Sequence, residues 1–194
     1  MKRLHKHIQQ ALDHRIHRRG FLRAGALALG ACVFPQALLG AVHGQQGPER
    51  MLSLYNLHTG ESLKTAYWVK GEYLPEALSE INHILRDFRT GDIKPIDTGL
   101  LDLLHTLHAN LGSKENLCII SGYRSPATNA RLHEASGGVA SHSLHMQAKA
   151  ADIRLPGCSL STLRQTAVSL QCGGVGFYPA SDFVHVDVGR VRYW

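Results

Sequence analysis

Period-two alternation of apolar and polar positions opens the foldable part of the chain. Residues 52–56 (Leu-Ser-Leu-Tyr-Asn) alternate, His58-Thr-Gly-Glu61 carries turn residues, and alternation resumes over 63–69, which predicts a β-hairpin. The period then changes to that of a helix. From Pro75 to Phe88, the positions Ala77, Ile81, Ile84, Leu85 and Phe88 fall on one face, with Pro75 suited to the first turn; Gly91 and Pro95 break the pattern. Asp97 or Thr98 caps a second helix, in which Leu100, Leu101, Leu104, Leu107 and Leu111 form an apolar stripe that ends at Gly112. The apolar run 117–121 predicts a central strand. It leads into Gly122-Tyr-Arg-Ser-Pro126, where Ser125 can cap and Pro126 can start a helix to about Glu134, closed by Gly137 and Gly138. Residues 150–155 predict another strand, and Ser159 or Ser161 caps a helix reaching about Leu170. The glycine-rich stretch 173–179 lacks the spacing of a phosphate-binding loop and reads as a tight turn with a short strand. The alternating run 183–188 and, after Gly189, residues 191–194 complete the chain. Strands and helices mixed in this way predict a single α+β domain over residues 51–194.

The front of the chain is different in kind. His17-Arg18-Arg19-Gly20-Phe21-Leu22-Arg23 precedes an apolar run rich in Ala, Leu and Gly that extends from 24 to 41. Paired arginines, a short apolar stretch interrupted by Pro35 and small residues at its end make an export signal of the twin-arginine type over 1–41. Two processing readings stay open: cleavage near Ala41, or a lipoprotein box at Leu29-Gly-Ala-Cys32 with a lipid on Cys32. Residues 42–50 are polar and glycine-bearing and read as a linker.

The chain carries a net charge of +6, with 21 basic and 15 acidic residues. Seven of the basic residues and only one acidic residue lie in 1–41, so the remainder balances at 14 of each. The excess belongs to the leader, and the electrostatic case for nucleic-acid binding falls away. Beyond Cys32, the cysteines Cys118, Cys158 and Cys172 form no Cys-x-x-Cys pair, which argues against a thiolate zinc knuckle. A Cys158–Cys172 bridge and three buried thiols both remain open.

Chemistry is concentrated in two places. Ser141-His-Ser-Leu-His-Met-Gln-Ala-Lys-Ala-Ala-Asp152 sets His142 and His145 ahead of a carboxylate that stands among alanines at the start of a strand. A charge in such surroundings requires a partner. In Phe183-Val-His-Val-Asp-Val188, His185 and Asp187 are two apart and share one face of a strand, again amid valines. His145, Asp152 and His185 would make a three-ligand zinc site open to water, with Asp187 beside it; structural histidines in a polar network are the competing explanation. His105 and His108 flank the leucine stripe and read as solvent-facing, and His58 reads as an exposed turn residue.

The motif Ser143-x-His145-x-x-Ala-x-Ala150-x-Asp152 with Val184-His185-Val-Asp187 about thirty residues later resembles the D-alanyl-D-alanine-type zinc peptidases, which share their core with hedgehog signalling domains. Ser121-Gly-Tyr-Arg-Ser-Pro126 and Gly174-Val-Gly-Phe-Tyr-Pro179 also look like theirs, and the likeness is nearest to exported, twin-arginine-dependent murein endopeptidases. The resemblance implies a small antiparallel sheet with helices packed on one side, and Zn²⁺ held by His145, Asp152 and His185. It also implies that Arg124 holds the substrate carbonyl or the developing oxyanion. His142 or a backbone carbonyl would orient the zinc histidines. The general base is Asp187 on geometry or Asp182 by its place three residues before His185. Peptidoglycan stem peptides in the periplasm are the implied substrate. A non-catalytic wall-binding module on the same fold is the alternative. The departure is Ala148, where the family motif usually has glycine; crowding by its methyl group is the expected consequence.

Overall fold

The computed structural model describes residues 49–136 and 139–194, so the predicted leader and Cys32 lie outside the described residues. The predicted hairpin is β1 (Glu49–Asn56) paired antiparallel with β2 (Ser62–Val69), with a short β3 (Glu72–Tyr73) added to its outer edge. β1 begins two residues inside the stretch read as linker. Helix α1 covers Pro75–Ile84, so the predicted turn beyond it, with Phe88, is non-helical. Phe88 instead stacks on the ring of His58 at 3.8 Å, which ties down the hairpin turn. Helix α2 (Thr98–Leu111) has the cap its sequence suggests: the Asp97 side chain accepts from Gly99 N at 2.9 Å, and Gly112 ends it in the left-handed conformation at φ +60°. The core strand β4 (Leu117–Ser121) is followed by α3 (Pro126–Ser136), β5 (Ala150–Arg154), α4 (Leu160–Leu170), β6 (Gly174–Tyr178), β7 (Phe183–Asp187) and β8 (Arg192–Tyr193).

The α+β class holds, but the sheet is larger than expected and is mixed. Its eight strands run in the order β3-β2-β1-β4-β5-β7-β6-β8. β1 with β4 and β6 with β8 are parallel, and the other pairings are antiparallel. Two helices intervene between β1 and β4, and such a crossover is what brings a strand back in the same direction. Alternation marks a strand but not its orientation.

The two faces of the central strands have different jobs. Leu52, Leu54, Leu117, Ile119, Ala151, Ile153, Val184 and Val186 are all buried in the core, where α1 packs on β2, α2 on β1 and α4 on β6 and β7. Tyr67 is fully buried, and its hydroxyl is satisfied by Asp102 at 2.9 Å. His105 and His108 bond the carbonyls of Met51 and Glu115. Cys118, Cys158 and Cys172 are free thiols, so the bridge offered between Cys158 and Cys172 is not formed. No helix among the described residues is long and apolar enough to cross a membrane.

Candidate metal centre

Asp152 and His185 are directly opposed on β5 and β7, and Ala150 with Asp187 is the next same-face pair. Since directly opposed residues project to the same side, Asp152, His185 and Asp187 rise together from the face away from the apolar core. His145 reaches them from a 3-10 turn, Leu144–Gln147, started by Ser143, whose Oγ accepts from His145 N at 3.3 Å. The turn is stopped by Ala148 in the left-handed conformation at φ +57°. That conformation explains why glycine suits this position. The methyl group itself is accommodated in the core, so the expected crowding is replaced by a backbone cost.

His145 Nε2, Asp152 Oδ1 and His185 Nδ1 converge within 2.9 to 3.2 Å of one another. The outward ring nitrogens decide what these atoms are. His145 Nδ1 lies 2.7 Å from the carbonyl of Gly122 and donates to it. His185 Nε2 lies 3.1 Å from Asp187 Oδ2 and donates to that carboxylate. Each neutral ring therefore turns a bare lone pair inward, onto a carboxylate oxygen. Three acceptors at this separation need a proton or a cation between them. Tetrahedral zinc with bonds of about 2.0 to 2.1 Å sets its ligand atoms roughly 3.3 Å apart, so the donor set and its spacing fit zinc. Two imidazole nitrogens to one carboxylate oxygen is also a poor match for calcium or magnesium, which favour oxygen. Of the outward partners expected for the histidines, the backbone carbonyl serves His145, and His142 stands apart as an exposed residue of the cleft wall.

The electrostatics follow from this crowding. Burial works to raise the Asp152 carboxyl, but His145 and His185 outweigh it and hold it below the usual carboxylate range. Burial works to lower His185, and the flanking Asp152 and Asp187 raise it instead. In the absence of metal the ring is thus poised to take a proton, which a metal must displace.

Arg124 is buried beside this cluster, its Nη2 3.5 Å from Asp152 Oδ2 and its Nη1 3.5 Å from Asn129 Oδ1. Its Nε is buried without a partner, and burial lowers its pKa. Asp87, which no sequence pattern marked, secures the turn that carries Arg124: its Oδ2 accepts from Ser125 N at 2.9 Å and its Oδ1 from Arg89 N at 3.0 Å.

The two carboxylates offered as base lie in opposite environments. Asp187 is fully buried, and both oxygens are occupied, Oδ1 by Gly174 N, Gly189 N and Arg192 Nη1, Oδ2 by His185 Nε2 and Arg192 Nη2. A carboxylate with its lone pairs occupied in this way is poorly placed to collect a proton from water, which weighs against Asp187 as base and favours a part in orienting His185. Asp182 is not in the strand. It follows the 3-10 turn Pro179–Ser181 in the left-handed conformation at φ +56°, is exposed, and pairs with Arg154.

The cluster opens into a cleft of about 710 Å³ whose walls include His142, Ser181, Tyr178, Phe183, Arg192 and Trp194. Trp194 lies with its ring 5.4 Å from that of His185 and donates from Nε1 to the Tyr178 hydroxyl at 2.7 Å. Tyr178 in turn stacks on Phe183 at 4.6 Å. Tyr178, Arg192 and Trp194 were given no role by sequence reasoning. The doubled glycine Gly173-Gly174 at the start of β6 was the available signal of a close approach.

A His-Asp-His cluster on the open face of a mixed sheet, with a buried arginine beside it, places the protein in the class of D-alanyl-D-alanine-type peptidases. The family model described as peptidoglycan L,D-endopeptidase MepK matches residues 45–194, and the chain belongs to that family. The chain is 43% identical to the peptidoglycan L,D-endopeptidase MepK of Escherichia coli (strain K12) over 178 residues, 92% of this chain and 97% of the relative. It is 36% identical over 179 residues to the probable peptidoglycan L,D-endopeptidase MepK of Haemophilus influenzae (strain ATCC 51907 / DSM 11121 / KW20 / Rd), 92% of this chain and 95% of the relative. The resemblance drawn from the motifs is borne out at the level of family.

Proposed function

We infer that the protein is a zinc-dependent murein endopeptidase that hydrolyses peptide cross-links of peptidoglycan. The observation that carries the inference is the convergence of two imidazole lone pairs and a carboxylate oxygen within 3.2 Å, beside an arginine with an unpartnered N–H, at the base of an open cleft.

His145, Asp152 and His185 hold the metal, which when bound supplies Lewis acidity and makes water acidic enough to attack near neutral pH. Arg124 donates to the scissile carbonyl oxygen and strengthens its hold as negative charge develops there, because its position is fixed by burial before substrate arrives. Asp182 acts as the base: its carboxylate follows Ser181 in the cleft wall, is free of structural bonds other than the pair with Arg154, and leaves that pair to take the proton from water. The same carboxyl then returns the proton to the departing amine. Tyr178 and Trp194 form a wall against which the peptide is laid.

The relatives' printed name specifies an L,D bond, which favours one of two cross-links that such an endopeptidase could cut, the D-alanine–diaminopimelate link and the direct diaminopimelate–diaminopimelate link. A D-alanine–diaminopimelate link joins two D-centres. A direct diaminopimelate–diaminopimelate link joins the carbonyl of an L-centre to the amine of a D-centre, and it is the substrate proposed here. Residues 1–41 send the protein to the periplasm by the twin-arginine route, with membrane attachment through this leader or through a lipid on Cys32.

Incubation of the protein with defined muropeptides of both link types, with zinc and with a chelator, tests the proposal. The expected result is cleavage of the direct link alone, abolished by chelation and restored by zinc. Asp182→Asn should lower kcat by roughly a hundredfold or more while zinc content stays at wild-type level. A zinc-loaded wild type that leaves both muropeptides intact would refute the enzyme.

A further inference from the structure

We propose that Arg192 is a positioning residue: acting through Asp187, it fixes which ring nitrogen His185 turns toward the metal. The inference rests on the metal-site reading above and concerns how that site is held.

His185 enters the cluster through Nδ1, and His145 through Nε2. A histidine side chain can present either nitrogen by turning its ring, so something must select Nδ1 at His185. The selector is the single carboxylate oxygen, Asp187 Oδ2, that accepts the ring's Nε2–H at 3.1 Å. Where that oxygen points depends on the plane of the carboxylate, and the plane is set by a two-pronged contact. Arg192 Nη1 reaches Oδ1 at 3.1 Å and Arg192 Nη2 reaches Oδ2 at 2.7 Å. A guanidinium fork fixes the rotation of a carboxylate in a way that one point charge cannot.

The surrounding backbone is shaped around this pair. Gly174 N and Gly189 N donate to Oδ1 at 3.0 and 2.8 Å. A Cβ on Gly174 would lie 2.5 Å from both Arg192 Nη1 and Asp187 Oδ2, and one on Gly189 would lie 3.0 Å from Asp187 Oδ1. A Cβ on Gly173 would collide with the Asp187 carbonyl oxygen. Gly174 and Gly189 leave room for the fork and for nothing larger, and Gly173 lets the backbone of Asp187 approach. Arg192 is itself held in register, since β8 lies beside β6 with Gly174 opposite Arg192. Its guanidinium sits 5.0 Å from the centre of the Trp194 ring. The short last strand thereby reaches the metal site through two residues, Arg192 and Asp187, neither of them a ligand.

The test uses the full chain. In metal-free wild type at pH 9, ring ¹⁵N chemical shifts should show the His185 proton on Nε2 and a bare Nδ1. Arg192→Gln should mix the two tautomers, weaken zinc binding in chelator competition by about 10- to 100-fold, and alter the visible absorption of the cobalt-substituted protein. Arg192→Lys keeps the charge without the fork and should bind zinc with an affinity between the two. A wild-type His185 protonated on Nδ1 overturns the proposal, whatever the variants do. So does an Arg192→Gln protein with zinc affinity within twofold of wild type and an unchanged cobalt spectrum. If Arg192→Gln does not fold, Arg192→Lys decides, and wild-type affinity there overturns the fork. A wild type that takes up no zinc refutes the functional reading instead, and the tautomer still decides the positioning role.

Discussion

At Ala148 two residue-scale effects oppose each other. A left-handed backbone costs an L-residue about 1 to 2 kcal/mol, and Ala148 sits at φ +57°. Its methyl group is fully buried, which is worth about 0.8 kcal/mol. The balance makes Ala148→Gly neutral to stabilising by about 1 kcal/mol, although glycine at an ordinary position loosens a fold. The melting temperature of the metal-free protein should rise by up to about 4 °C; a fall of several degrees would mean that the methyl dominates. At this scale the His145, Asp152 and His185 cluster was legible, because a histidine or carboxylate set among valines and alanines has no cheap explanation. The hydrogen bonding of Asp187 was not. Period two gives the face of a residue, but the donors that fill Asp187 come from Gly174, Gly189 and Arg192, and no spacing rule connects them to it.

Among the elements, the turn from β4 into α3 does the most for the site. Gly122 approaches Leu85 so closely that an added Cβ would collide with the Leu85 carbonyl oxygen. Tyr123 N bonds that same oxygen at 2.7 Å, and the Gly122 carbonyl accepts from His145 Nδ1 at 2.7 Å. Gly122→Ala must therefore push the turn away from Leu85 and take the acceptor from His145 with it. The expected loss is about 1 to 3 kcal/mol in urea unfolding of the metal-free protein, with weaker zinc binding in chelator competition. Stability and zinc affinity both at wild-type level would show that the turn relaxes without moving His145. The strand, turn and helix here were legible from the apolar run and from Ser125 before Pro126. The contact with Leu85 joins residues 37 apart in the chain and leaves no local trace. The 3-10 turn that presents His145 escaped for another reason: four residues are too few for a period.

For the whole molecule, the sheet separates stability from chemistry by face, and Asp87 links the two. It leaves the end of α1 to hold Ser125, and so stands between the helical core and the arginine of the site. Burial works to raise its carboxyl, yet Thr128, Ser125 and Arg89 N hold it down at about 2. A carboxylate whose pKa is lower in the folded than in the unfolded state stabilises the fold above its unfolded value near 3.9. That contribution disappears as the pH falls through the folded value. For Asp87 it amounts to up to about 2 kcal/mol, lost progressively between roughly pH 5 and pH 2. Asp87→Asn has nothing to protonate and keeps the shape of the side chain. The stability gap between wild type and Asp87→Asn, measured by urea unfolding of the metal-free proteins, should accordingly narrow by about 1 kcal/mol from pH 6 to pH 3. The carboxylates of the metal site titrate in both proteins and cancel in the difference. A gap that stays constant over this range would mean that the Asp87 carboxyl has the same pKa in the folded and the unfolded protein, and that the bonds of the turn bearing Arg124 do not favour its charged form.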